Sequence, residues 1–124
     1  MNLVDSSGWL EYLSGSKNAK NFAKAIENTE ELLVSSINIY EIYKKILKEK
    51  DENTAFQIVG LMRQAKVVDV DTSIAMEAAK LSYEKNIPMA DSLIYITAIA
   101  NDAIVWTQDT DFRGLDSVKY FSKK

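Results

Sequence analysis

The first fifteen residues, MNLVDSSGWLEYLSG, carry the reading on which the fold turns. Leu3-Val4 is a short apolar run that stops at Asp5, the pattern of a brief buried strand. Ser6 or Ser7 can then cap a helix bearing Trp9, Leu10 and Leu13, and Gly15 closes it. A strand that yields at once to a helix begins an alternation, and the rest of the chain continues it.

Residues 17–28 place Phe22, Ala23, Ala25 and Ile26 among lysines and asparagines, a surface helix with one apolar stripe. Leu32-Leu33-Val34 predicts a second strand, and residues 39–50 a helix with Ile42, Tyr43, Ile46 and Leu47 at helical spacing. Asp51 can cap a fourth helix reaching about Ala65, weakened at Gly60 by roughly 1 kcal/mol relative to alanine. Residues 67–70 predict a third strand; Asp71 or Thr72 opens a helix that buries Ile74, Ala75, Ala78, Ala79 and Leu81. Residues 89–101, following Asn86-Ile87-Pro88, are apolar nearly all round and predict a central, buried helix. Residues 103–106 and 118–121 predict a fourth and a short fifth strand. The expectation is a three-layer α/β/α sandwich around a mostly parallel sheet of four or five strands. With no repeat, linker or low-complexity tract, residues 1–124 are read as a single domain.

Composition narrows the chemistry. The chain has 47% hydrophobic and 27% charged residues, the balance of an ordinary folded domain. It has no cysteine and no histidine. Disulfides, thiolate ligands and cysteine nucleophiles are therefore excluded, together with imidazole bases, a Ser-His-Asp triad and histidine zinc sites. Hydrolysis would have to rest on carboxylates, lysines, hydroxyls or an oxygen-ligated metal. No secretory signal is visible and no apolar run approaches the ~20 residues that span a bilayer, so the expected setting is cytoplasmic, with no membrane partner. A net charge of −3 argues against simple electrostatic binding of nucleic acid, unless cations neutralise some of the acids.

Four places set an acid beside apolar or helix-opening sequence, and each has an ordinary structural explanation. Asp5 can be a helix N-cap. Glu41 can complete a capping box begun by Asn38, with Lys45 four residues on as an ion-pair partner. Asp91 opens the apolar helix, where the dipole favours an acid. Asp109 and Asp111, in Thr107-Gln108-Asp109-Thr110-Asp111-Phe112, can form an Asx-type turn. Together they say more. In a parallel α/β sheet, sites form beyond the carboxyl ends of the strands where strand order reverses. Asp5 and Asp109 would come from adjacent central strands, with Glu41 and Asp91 approaching on helix starts. Carboxylates crowded within ~4 Å repel by roughly 4 kcal/mol per pair at an effective dielectric of 20. Such a cluster must bind protons or cations, and an all-oxygen pocket suits Mg²⁺ or Mn²⁺.

The succession Val4-Asp5-Ser6-Ser7, Ile37-Asn38-Ile39-Tyr40-Glu41-Ile42, Ala90-Asp91-Ser92-Leu93-Ile94 and Thr107-Gln108-Asp109-Thr110-Asp111-Phe112 resembles PIN domains. Within them it is similar to VapC toxins of prokaryotic toxin–antitoxin pairs, over essentially the whole chain. The resemblance implies that Asp5, Glu41, Asp91 and Asp109 are catalytic and metal-site acids, with Asp111 auxiliary and Thr107 ordering the site. Asn38 departs from the Thr or Ser common in relatives, which puts one local hydrogen bond in doubt. The resemblance also implies a homodimer and a separate VapB-like antitoxin whose segment covers the acidic cleft.

The activity expected from this is Mg²⁺- or Mn²⁺-dependent hydrolysis of RNA phosphodiesters, leaving 5′-phosphate and 3′-hydroxyl ends. Lys44, Lys45 and Lys48, on the helix of Glu41, are the first candidates for RNA backbone contacts. Two alternatives stand beside it. One is a receiver-like phosphoacceptor signalling domain, for which Asp71 and Lys119 are poorly placed; the other is a PIN fold serving only as a binding module.

Overall fold

A computed structural model describes residues 1–123. Among these residues the chain runs β1 (Asn2–Val4), α1 (Ser6–Ser14), α2 (Ala19–Ile26), β2 (Leu32–Ser35), α3 (Ser36–Glu49), α4 (Glu52–Met62), β3 (Lys66–Val68), α5 (Thr72–Lys85), α6 (Met89–Ala100), β4 (Ile104–Thr107) and β5 (Val118–Tyr120). Short 3₁₀ turns at Thr29–Glu31 and Thr110–Phe112 precede β2 and follow β4.

The strands pair in the order β3-β2-β1-β4-β5, every pair parallel, with Leu3 beside Leu33 on one side and Val105 on the other. Successive side chains of a strand point to opposite faces. Val4, Leu32, Val34 and Trp106 accordingly pack with Trp9, Phe22, Ile42 and Met62 on one side of the sheet. Leu3, Leu33 and Val105 pack with Ile94, Tyr95, Ala98 and Phe112 on the other. The three-layer expectation holds, with five strands all parallel. This order also removes the receiver reading, whose sheet runs 2-1-3-4-5. Lys119 lies within β5, its Nζ 4.3 Å from the centre of the Trp106 ring.

Local chemistry moved several boundaries. Of the caps the sequence offered for α1, Asp5 is the one used and Ser6 and Ser7 are the first helical residues: the Asp5 backbone is extended and its Oδ1 accepts from the Gly8 N–H at 2.9 Å. Ser35, not Asn38, caps α3, which therefore starts three residues before the expected position; Asn38 is the third helical residue, its Oδ1 accepting from the Ser35 N–H at 3.0 Å. Strand β3 ends at Val68 instead of reaching Val70, because the Val70 N–H leaves the ladder for Ser36 Oγ, 3.3 Å away. Helix α6 is largely buried, as its apolar sequence suggests: Ile94, Tyr95 and Ala98 join the core, Ser92 and Thr97 are also covered, and α5 packs along it, while Met89 at its start is 75% exposed. Gly8 makes the close seating of α1 possible, since a Cβ there would stand 2.6 Å from Val4 Cγ1 and 2.8 Å from the Phe22 ring. That contact fixes where Asp5 sits.

Candidate metal centre

The sheet order places a crevice between β1 and β4, because chain connections leave these neighbours in opposite directions. Asp5 leaves β1 directly into it and is 2% exposed. Its Oδ2 accepts from Thr107 Oγ1 at 2.8 Å, and Ser7 Oγ lies 2.9 Å from each of its oxygens. Burial pushes the carboxyl up to about 6; the hydrogen bonds from Gly8, Thr107 and Ser7 oppose this, and the charge of Asp109 adds to it.

Thr107, fully buried at the end of β4, uses its hydroxyl twice. It donates to Asp5 and accepts the Asp109 N–H at 2.8 Å. Asp109 then caps the 3₁₀ turn, its Oδ1 accepting the Asp111 N–H at 2.9 Å. One hydroxyl thus holds two acids from neighbouring strands in register.

Asp91 comes from the first turn of α6, after Pro88. One oxygen each from Asp91, Asp109 and Asp111 lies within 4.8 Å of the others. Asp91 is pushed up to about 7, first by burial, then by the charge of Asp109, by a hydrogen bond with Asp111, and by the charges of Asp111 and Asp5. Without a cation the group retains a proton near neutrality. Three hard oxygen donors that cannot all ionise unaided are the donor set that fits Mg²⁺ or Mn²⁺.

Glu41 stands apart from that triplet. It lies in the second turn of α3, where its Oε1 accepts from Ser6 Oγ at 2.7 Å; Ser6 Oγ in turn accepts from Asn38 Nδ2 at 3.2 Å. It is tied to the residue next to Asp5, and Asn38 makes the local bonds that its identity put in doubt. The expected Glu41–Lys45 ion pair is absent among the described residues, since Lys45 pairs with Glu49 at 3.0 Å, one turn further on. Lys44 lies over the Tyr40 ring at 5.7 Å, and Lys44, Lys45 and Lys48 are exposed.

Asp111, expected as an auxiliary acid of the metal site, lies in the tight triplet with Asp91 and Asp109. Ser6 and Ser7, candidate caps by sequence, instead donate to the carboxylates of Glu41 and Asp5. A further polar group has no sequence signal: Asn18 Nδ2 donates to Gln108 Oε1 at 3.0 Å, and Gln108 Nε2 to Glu11 Oε1 at 3.2 Å. Nothing in the local pattern around Asn18 signals this contact across ninety residues.

A family model described as PIN domain matches residues 3–118. Among solved structures, a toxin–antitoxin complex from Klebsiella pneumoniae superposes with a TM-score of 0.82 at 20% identity, covering 98% of this chain and 99% of that one. A sarcin-ricin-loop-cleaving VapC toxin of Mycobacterium tuberculosis gives 0.77 at 13% identity, over 95% of this chain and 97% of that one. The FitAcB structure from Neisseria gonorrhoeae gives 0.75 at 23% identity, over 98% and 97%. No curated protein matches the chain.

Proposed function

The chain belongs to the PIN-domain family, and from that premise we propose that it is a divalent-metal-dependent endoribonuclease, the toxin of a type II toxin–antitoxin pair. The observation that carries this reading is the convergence of Asp91, Asp109 and Asp111 on one point beside Asp5, in the crevice between β1 and β4.

Asp91, Asp109 and Asp111 would hold Mg²⁺ or Mn²⁺, with Asp5 at its side. Bound there, the ion supplies Lewis-acid activation of water and offsets charge on the leaving oxygen. The chain's own groups set the geometry. Thr107 fixes Asp5 relative to Asp109. Ser6 holds one oxygen of Glu41 by donating its hydroxyl to Oε1. The phosphodiester is cleaved by in-line attack of water, breaking the bond to the 3′ oxygen and leaving 5′-phosphate and 3′-hydroxyl ends. Lys44, Lys45 and Lys48 are proposed to meet the RNA backbone on the flank of α3.

Relatives whose structures contain an antitoxin support a protein partner here. A groove of about 510 Å³ is lined by Leu10, Leu13, Ile46 and Ile58 of α1, α3 and α4, and by Gln108, the neighbour of Asp109. A VapB-like antitoxin segment lying in it would reach the acidic crevice. A hollow of the same volume between α5 and α6, bordered by Tyr83 and Met89, with Met76 exposed nearby on α5, suits a homodimer face. No helix among the described residues is long and apolar enough to cross a membrane.

The test is cleavage of total cellular RNA by purified protein with Mg²⁺, Mn²⁺ or EDTA, followed by mapping of the new ends. Cation-dependent cleavage with 5′-phosphate ends is expected. Asp91→Asn should abolish it while fold and dimer persist; unchanged activity would refute the role given to Asp91.

A further inference from the structure

A second hollow adjoins the acidic crevice, and its chemistry is the opposite. It measures about 380 Å³ and shares Asp109 as a wall, with Thr110, Arg113, Tyr120 and Lys123 around it. We propose that this hollow is the subsite for the nucleotide flanking the scissile phosphate, its base stacking on the Arg113–Tyr120 pair and its phosphate meeting Arg113 and Lys123. The proposal rests on the ribonuclease reading above and deepens it.

Position comes first. The 3₁₀ turn that presents Asp109 and Asp111 ends at Arg113, whose N–H donates to the Thr110 carbonyl at 3.1 Å. Phe112, fully buried, pins that turn to the core. The loop then returns through left-handed Gly114 (φ 85°) and Ser117 (φ 60°), and the Tyr95 hydroxyl donates to the Asp116 carbonyl at 2.8 Å. Tyr120 sits opposite Thr107 in the β4–β5 ladder, and Thr107 is the residue that orders the acids. Arg113 thus ends the turn that carries the carboxylates, and Tyr120 is set beside them by its pairing with Thr107.

Chemistry follows. The Arg113 guanidinium lies 5.2 Å from the centre of the Tyr120 ring, so a planar cation and an aromatic face make one platform. Such platforms take unpaired bases with little regard to sequence. Among the described residues no ion pair involves Arg113, and its exposed guanidinium is open to a phosphate. In a chain of net charge −3, a cationic hollow against the acidic crevice gives an anionic polymer a place to bind beside its point of cleavage.

The experiment uses the full chain and a fluorescent, mixed-sequence single-stranded RNA decamer. Binding is measured by anisotropy in the Asp91→Asn background, and cleavage kinetics in the wild-type background. Arg113→Ala is expected to weaken binding about tenfold and to flatten the slope of log affinity against log salt by about 0.7. Tyr120→Ala should weaken binding to a similar degree, Tyr120→Phe should leave it unchanged, and Arg113→Lys should fall between. In the cleaving enzyme Arg113→Ala should raise KM more than it lowers kcat. Arg113 is exposed, so its variants report even if Tyr120→Ala misfolds. If the protein cleaves RNA with divalent cation but Arg113→Ala keeps wild-type affinity and salt slope, the subsite is refuted and the nuclease reading survives. Loss of antitoxin binding by Arg113→Ala with RNA affinity intact also overturns it, assigning the hollow to the protein partner. If the wild-type chain neither binds nor cleaves RNA, both readings fall.

Discussion

Replacing Asp91 with asparagine is expected to make the metal-free protein more stable while removing its response to divalent cation. The magnitude follows from the site. Burial and the charges around Asp91 push its carboxyl up to about 7 from an ordinary 3.8. Between those two values the folded chain keeps a proton that the unfolded chain has lost. Stability therefore falls as pH rises through that window, and the loss is complete above about pH 7. The full difference corresponds to roughly 4 kcal/mol; Asp91 is partly exposed, and solvent screening reduces this to ~2 kcal/mol. Asparagine carries no charge at any pH and escapes the penalty.

Thermal denaturation followed by circular dichroism at pH 4, 6 and 8, with EDTA or with MnCl₂, measures this directly. In EDTA at pH 8 the variant should melt roughly 6–10 °C above its parent, and the gap should close toward pH 4. Cation reverses the order. A ligand at a hundredfold excess over its Kd adds about 2.7 kcal/mol to the parent, whereas the variant has lost one donor charge and gains less. If Asp91→Asn melts below the parent in EDTA at every pH, or if Mn²⁺ raises both equally, the crowding argument is wrong.

Three further outcomes follow from the same structure. Thr107→Val should lower stability by about 1–3 kcal/mol in chemical denaturation and depress RNA cleavage, because it strips a donor from Asp5 and an acceptor from the Asp109 N–H; Thr107→Ser should restore most of both. Gly60→Ala should raise stability by about 1 kcal/mol with cleavage unchanged, since a Cβ on that turn of α4 meets nothing within 4 Å. Gly8→Ala should cost about 1–3 kcal/mol and impair cleavage, as its methyl collides with Val4 and Phe22 and tilts α1 away from Asp5; a melting curve matching wild type would count against that packing.

Much of the fold was legible because its signals are local. Asp51 and Asp71 cap helices by accepting the N–H three residues on, and Gly15 ends α1 in a left-handed turn; each act involves only near neighbours. The misplaced start of α3 shows the limit. Asn38 has the chemistry of a cap, but its side chain is also fully buried against Ser6, a residue 32 positions earlier, and that contact is invisible in a linear pattern. The acids divide in the same way. Asp5, Asp91 and Asp109 could be singled out because each adjoins a strand end or a helix start. The closeness of Asp111 to Asp91 and Asp109 depends on a one-turn 3₁₀ helix, and the Arg113–Tyr120 platform on a loop with two left-handed residues. Neither geometry has a sequence period to reveal it.

Asp5 shows why stability and ion affinity cannot be separated in this crevice. As the N-cap of α1 it contributes about 1 kcal/mol to the helix. Three donors converge on it, and ionised carboxylates favour such company. Even so its carboxyl is pushed up to about 6, so desolvation outweighs the donors, and the charge of Asp109 adds to the cost. Above about pH 7 the metal-free fold carries both this cost and that of Asp91 in full, borne by the apolar cores on either side of the sheet. The conditions that best prepare the acids for a cation are those in which the empty site weakens the fold most. Binding of the ion removes the same repulsion, so a fold weakened by its own acids gains stability from the ligand those acids are arranged to hold.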